Sequence, residues 1–106
     1  MVTTSSKTMS VKANTVTVDS TSYTYCLVVG GAGSTLYRSV KVPVEGASTI
    51  KVIADAASSR SLVVANTSGT SLGSMSVTTT PAQVSYSYVG SSGYVYLYSS
   101  NSNINI

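Results

Sequence analysis

Histidine, tryptophan and phenylalanine are absent from the sequence, and Cys26 is its only cysteine. The absence of histidine excludes nucleophilic triads with an imidazole base, and a single cysteine excludes an internal disulfide and a cysteine-ligated metal cluster. The three acidic residues, Asp19, Glu45 and Asp55, lie at turns or at a strand end, so they do not indicate a carboxylate pair for hydrolysis. A serine–lysine pair is the one nucleophilic arrangement left, and no spacing indicates it. We therefore predict no enzyme activity, no metal site and no cofactor.

Residues that favour helices are also scarce. Leucine, glutamate, glutamine, lysine and arginine are few, whereas 16 valines, 14 threonines and 8 tyrosines suit a pleated, half-buried surface. The apolar share of 42% and the mean hydropathy of +0.25 are too high for a solvated coil. The composition therefore predicts an ordered all-β protein, and 106 residues suit a single domain.

Apolar and polar residues alternate through most of the chain, with turn residues about every 8 to 12 positions. This spacing predicts an antiparallel, jelly-roll-like β-sandwich of about eight short strands, which spans residues 1–106 as one domain. The alternation changes phase at Asn14 and Thr15, which predicts a bulge in the first strand. Pro43 cannot donate a backbone hydrogen bond, so its strand is predicted to lie at a sheet edge or to turn that nitrogen away from the ladder.

Six basic residues against three acidic ones give a net charge of +3, which suits a polyanionic partner without establishing one. The basic residues are scattered and form no run, so no nucleic-acid partner is predicted. No apolar run reaches the roughly 18 residues of a membrane span, and residues 1–6 lack the basic and apolar regions of a signal peptide. We expect no membrane partner, and both ends resemble cuts around a module taken from a longer protein.

Two lysines are predicted to form a basic pair on one sheet face. If residues 39–44 and 49–54 form a hairpin with the valines of both strands on one side, Lys41 and Lys51 become diagonal neighbours on the outer face. Both lysines would then reach one extended anionic ligand. The alternative is that both are solvated and only protect an edge strand from aggregation.

Three tyrosines form a row on one predicted strand. Tyr94, Tyr96 and Tyr98 share one face, with Val95 and Leu97 on the other. Such a row either packs in the core, since the chain lacks phenylalanine and tryptophan, or forms a stacking platform for sugars. Alternation alone leaves both possibilities open.

Several segments, taken in order, resemble carbohydrate-binding module family 77, the small pectin-binding modules attached to bacterial pectate lyases. Each segment is short and rich in serine or glycine, and together they cover nearly the whole chain. The segments are Ser6–Met9, Thr24–Gly31, Gly33–Lys41, Ala47–Val52, Ser59–Leu62, Gly93–Tyr96 and Ser99–Ile106.

The resemblance implies a non-catalytic β-sandwich that binds pectin, chiefly low-ester homogalacturonan, through basic side chains and targets an appended enzyme to the plant cell wall. Lys7, Arg38 and Arg60 stand where such modules are regularly basic, and with the pair Lys41 and Lys51 they form the predicted ligand-binding set. The resemblance also implies a secreted protein whose partners are polygalacturonate and a covalently attached catalytic domain. Two alternatives remain: a structural or adhesion-type sandwich without a glycan ligand, and a neutral-glycan binder that uses the tyrosine row.

Overall fold

The computed structural model describes residues 1–106 as nine β-strands without a helix. The strands are β1 Ser10–Val18, β2 Thr21–Val29, β3 Val40–Val44, β4 Ser48–Ala56, β5 Arg60–Ala65, β6 Ser71–Val77, β7 Ala82–Tyr88, β8 Gly93–Ser99 and β9 Ile104–Asn105. The predicted all-β class and antiparallel sandwich are confirmed, with nine strands where the sequence predicted about eight. The structure has no helix with the length and hydropathy needed to cross a bilayer.

Two antiparallel sheets form the sandwich. One has five strands in the order β1-β2-β9-β4-β7, and the other has four in the order β3-β8-β5-β6. Only β1–β2 and β5–β6 are hairpins, and every other connection crosses from one sheet to the other. The connections therefore gather at the two ends of the sandwich, where they combine residues that are distant in the sequence.

The core lies between the sheets and is built by the alternation visible in the sequence. Leu62 and Val95 are fully buried there, while the residues on either side of them along their strands turn outward. Tyr86 and Tyr88 pack against this core from β7 and supply large side chains in place of phenylalanine and tryptophan. The Tyr86 hydroxyl donates to the Leu72 carbonyl at 3.1 Å, so its polar end stays satisfied.

Two local predictions are confirmed. The register of β1 against β2 shifts between Ala13 and Val16, where the apolar alternation changes phase. Pro43 lies in β3, an edge strand whose only partner is β8. Proline is tolerated there because its missing N–H removes no hydrogen bond to a second neighbouring strand.

The predicted hairpin of residues 39–44 and 49–54 is wrong. β3 pairs with β8, while β4 pairs with β7 and β9 in the other sheet. Lys41 and Lys51 therefore lie on the outer faces of different sheets, with the core between them. Alternation identifies the buried side of each strand, but a sandwich buries such sides from two sheets, so two strands joined by a short turn need not pair.

Candidate functional site

One end of the sandwich, called the basic end below, carries half of the basic side chains. It is formed by the β2–β3, β4–β5, β6–β7 and β8–β9 connections together with the N-terminal segment. Lys7, Arg38 and Arg60 lie in or beside these segments. Asp19 and Glu45 lie in the β1–β2 and β3–β4 connections at the opposite end. The third acidic residue, Asp55, is the last but one of β4 and lies close to the basic end. The three cations outnumber this one carboxylate, so the basic end presents a net positive potential to an approaching anion.

The N-terminal segment is held against the β2–β3 loop, and this places Lys7. Val2 and Ser39 exchange two backbone hydrogen bonds, with N–O distances of 2.8 and 3.3 Å. The Lys7 ammonium lies over the ring of Tyr37, 5.6 Å from its centroid, in a cation–π contact. Lys7 therefore lies beside the residue that precedes Arg38, although the two cations are far apart in the sequence.

Arg38 has a strained backbone and a closely packed side chain. Its φ of 50° lies in the left-handed region that residues other than glycine rarely adopt. Its guanidinium packs over Gly31, where a Cβ would collide with Nη1. Its Nε is buried without a hydrogen-bond partner. Backbone strain and an unsatisfied buried donor each cost about 1–3 kcal/mol of stability, and backbone strain of this kind is often found at functional sites.

Arg60 begins β5 and borders a polar groove. Its Nη1 donates to the Ser58 hydroxyl and, at 3.2 Å, to the Ser59 carbonyl, while its Nε is buried without a partner. The groove has a volume of about 360 Å³ and offers hydroxyl and amide groups to a polyol ligand beside one cation. It is lined by Ser59, Arg60, Ser61, Ser76, Val77, Thr78, Ser100 and Asn101.

The β8–β9 loop lies between the two arginines. Ser99 Oγ is fully buried and accepts hydrogen bonds from two amides of the loop, which hold it in a tight turn. Asn103 Oδ1 accepts a backbone hydrogen bond of 2.9 Å next to Arg38, while Asn101 lines the groove of Arg60. Since two residues span at most about 7 Å, both arginines border the same short loop.

The structure thus brings three of the five predicted ligand-binding residues to one end and separates the other two. Lys41 Nζ lies over the ring of Tyr94, 4.2 Å from its centroid, on the outer face of the four-stranded sheet. Lys51 lies on the outer face of the five-stranded sheet. Neither lysine lies at the basic end. Because they lie on opposite faces of the sandwich, they do not form the predicted pair that binds one extended ligand.

The tyrosine row lies on the outer face of the four-stranded sheet, which excludes the core alternative. Val95 and Leu97 are buried between the sheets, whereas Tyr94 is 46% exposed and the other two tyrosines are half-buried. Gly33 lies against the β-carbon of Tyr98, so the β2–β3 loop covers that end of the row. The outer face therefore presents one exposed aromatic ring with a lysine on it.

Sequence reasoning missed Tyr37, Asn101 and Asn103 as parts of the basic end. Asparagine side chains regularly bond to nearby backbone groups in turns, and this signal marks the two asparagines as loop residues. It does not reveal that the loop lies between two arginines. That proximity depends on connections that cross from one sheet to the other, and local sequence patterns do not predict these crossings.

The chain matches no protein-family model, and a search of curated proteins returns no significant match.

Proposed function

We propose that the protein is a non-catalytic module that binds acidic plant cell-wall polysaccharide, chiefly low-ester homogalacturonan, at the basic end. Lys7, Arg38 and Arg60 bind the galacturonate carboxylates, and the β8–β9 loop with the groove beside Arg60 binds the sugar hydroxyls. The module holds a covalently attached, secreted enzyme at its substrate. It works by raising the effective concentration of that enzyme, so weak binding suffices.

The observation that carries this proposal is the pair of half-buried arginines on either side of one hydroxyl- and amide-rich loop. Both guanidinium groups have a buried Nε, so the terminal Nη nitrogens are the donors that a ligand can reach. A guanidinium is planar and binds a carboxylate through two parallel N–H donors, which gives orientation as well as charge complementarity. Two such groups beside the same loop suit a polymer that carries a carboxylate on successive sugar units.

The expected affinity is low. An exposed ion pair contributes about 0.2–1 kcal/mol, and hydrogen bonds to a charged group contribute about 1.5–3 kcal/mol. Three cations with a few hydroxyl contacts therefore support a Kd on the order of 10 µM to 1 mM. Binding in this range is sufficient for a tethered module and is measurable by retardation in a gel that contains the polysaccharide.

The test is affinity electrophoresis of the wild type and of matched charge variants. Polygalacturonate should retard the wild type, whereas Arg38→Gln and Arg60→Gln should each lower its affinity several-fold. Lys51→Gln is the matched control, because it removes the same charge from the exposed outer face of β4, in the middle of that strand and away from the basic end. A loss of retardation in Lys51→Gln as large as in the arginine variants would reduce the interaction to net charge and overturn the assigned site.

The exposed ring of Tyr94 supports a second candidate, a neutral-glycan binder on the tyrosine face. Sugar rings stack on exposed aromatic side chains. Xyloglucan and a β-glucan in parallel gels separate the candidates. Retardation by these neutral polymers, abolished by Tyr94→Ser, would favour the tyrosine face. A wild type that no polysaccharide retards would favour a structural sandwich without a glycan ligand.

A further inference from the structure

The five-stranded sheet contains a gap beside its shortest strand. β9 has two residues, whereas the strands on either side of it, β2 and β4, have nine each. β9 pairs only with Val28 and Val29 of β2 and with Asp55 and Ala56 of β4. The rest of β2 and β4 therefore runs without a strand between them.

An apolar groove of about 420 Å³ fills this gap. Tyr23 and Tyr25 form one wall, Ile50 and Val52 form the other, and Ile106 closes one end. The floor is the inner side of the opposite sheet, with Val40, Val42 and Leu97. The groove is thus a part of the space between the two sheets that no strand of the five-stranded sheet covers.

Two tyrosines are exposed on the side of β2 that faces the core. Val29 pairs with Ile104, and both are fully buried. Because side chains alternate along a strand, Tyr25 and Tyr23 lie on the same side as Val29. They are nevertheless 68% and 38% exposed. Large apolar side chains on the inner face of a sandwich are normally covered, so this exposure marks a missing element.

Backbone groups on both walls of the groove also lack partners. Leu27 and Ile106 exchange two backbone hydrogen bonds of 2.9 Å each, so Leu27 turns its N–H and C=O toward β9. In an antiparallel strand, every second residue directs its backbone N–H and C=O toward the same neighbouring strand. Tyr25 and Tyr23 therefore direct their N–H and C=O groups into the groove.

The same alternation applies to β4. Ala56 donates its N–H to the Thr78 carbonyl, away from β9. Ile53 and Lys51 therefore turn their backbone groups toward the groove. Unpaired strand edges of this kind bind an additional strand.

We propose that the groove is the seat of a tenth strand, an extended segment joined directly to Ile106. It continues the line of β9, pairs antiparallel with β2 and β4, and carries apolar side chains at every second residue. The two flanking strands are about two strand spacings apart where β9 lies between them, or roughly 9.6 Å, which is room for one strand. The register of β9 places the second added residue between Tyr25 and Val52, and the fourth between Tyr23 and Ile50.

Continuity with β9 argues for a segment joined in this way and against a free ligand. Ile106 already lies at the mouth of the groove, bonded to Leu27 and packed against the core. The next residue therefore enters the groove without a linker. Because no loop has to be closed, ordering the segment costs little loop-closure entropy. Ile104 and Ile106 also set the apolar phase, since both face inward while Asn105 faces outward.

The test compares three forms of the protein: the chain ending at Ile106 and two versions with about five added residues. One added segment carries valine at its second and fourth positions and threonine elsewhere. The other is the matched control, with the same composition but the valines at its first and third positions. Since a shift of one residue moves every side chain to the opposite face, only the first segment places apolar groups in the groove.

The in-phase segment should raise Tm by about 5 °C and slow hydrogen exchange of the Tyr23, Tyr25, Lys51 and Ile53 amides at least about tenfold. The shifted segment should do neither. Both readouts use a folded parent protein, so no variant has to survive the loss of a core residue. Equal effects of the two segments, or unchanged exchange at these four amides with the in-phase segment, would overturn the proposal.

Discussion

The guanidinium of Arg38 lies over Gly31 so closely that a Cβ on this glycine would collide with Nη1. Gly31 also has a φ of +53°, a conformation that other residues rarely adopt. Two adjoining parts of the β2–β3 loop are therefore mutually dependent: the glycine leaves the space that the arginine side chain occupies. The position of the cation at the basic end is thus a property of the loop backbone as much as of Arg38 itself.

Gly31→Ala should weaken binding to polygalacturonate several-fold. The added methyl displaces the Arg38 guanidinium, and the positive φ strains the alanine, with a loss of stability of about 1 kcal/mol or more. Affinity electrophoresis and thermal unfolding measure the two effects separately.

Gly46→Ala is the control for that strain. Gly46 also has a positive φ, at +138°, but nothing lies within 4 Å of its added Cβ, and it lies at the opposite end of the sandwich. It should lose stability and keep its affinity. Reduced affinity in Gly46→Ala would show that backbone strain alone, and not displacement of Arg38, impairs binding.

Gly33→Ala should lower the free energy of unfolding more than Gly31→Ala does. Its Cβ would lie 2.5 Å from the Arg38 carbonyl oxygen and 2.7 Å from the Tyr98 β-carbon. Neither atom is the free end of a side chain, so the backbone of the loop has to move, at a cost of about 1–3 kcal/mol. Urea denaturation measures this loss. A variant as stable as the wild type would mean that the loop is not packed on β8 as described.

Leu62→Ala should remove about 2–5 kcal/mol of the free energy of unfolding. Leu62 is fully buried between the sheets, and truncation leaves a cavity that a rigid sandwich does not fill. Leu36→Ala makes the same chemical change at a residue that is 74% exposed, and it should alter stability by less than about 0.5 kcal/mol. Similar losses in the two variants would contradict the location of the core.

Salt should weaken binding at the basic end. Contacts between exposed or half-buried charges are screened over about 8 Å at physiological ionic strength and over less at higher salt. Retardation of the wild type by polygalacturonate should therefore fall steeply as salt rises, and that of Arg38→Gln should fall less steeply because one charge contact is missing. Affinity that stays constant from low to high salt would argue against recognition through cations.

The sequence predicts the elements of this fold better than their arrangement. Period-two alternation identifies the strands and their buried sides, and the phase change at Asn14 and the proline at position 43 identify a bulge and an edge strand. These features are local, so a local pattern records them. Strand pairing depends on residues that are distant in the sequence, and alternation carries no information about it. For this reason the sequence predicts Lys41 and Lys51 as neighbours, although they lie on different sheets.

The candidate site shows the same division. Lys7, Arg38 and Arg60 are candidates because they match basic positions of the family that the sequence resembles, and the fold brings them to one end. Their surroundings depend on the crossing connections: the loop that carries Asn103 reaches Arg38 only because β9 enters the other sheet between β2 and β4. The sequence has only six basic residues, so the candidate cations are easy to identify. The residues that surround them in space cannot be identified without the tertiary structure.

The contact between Lys41 and Tyr94 should be measurable in a double-mutant cycle and should be independent of pectin binding. A lysine over an exposed tyrosine ring contributes about 0.5–1 kcal/mol, so Lys41→Gln, Tyr94→Leu and the double variant should show a coupling of this size in urea denaturation. All three should keep the wild-type affinity for polygalacturonate, since both residues lie on the outer face of the four-stranded sheet and the basic end is formed by loops. A loss of that affinity in Lys41→Gln, with Arg38→Gln unaffected, would move the binding site to the tyrosine face. Because the two surfaces share no residue, this comparison separates a loop-based anion site from a sheet-based stacking site within one set of variants.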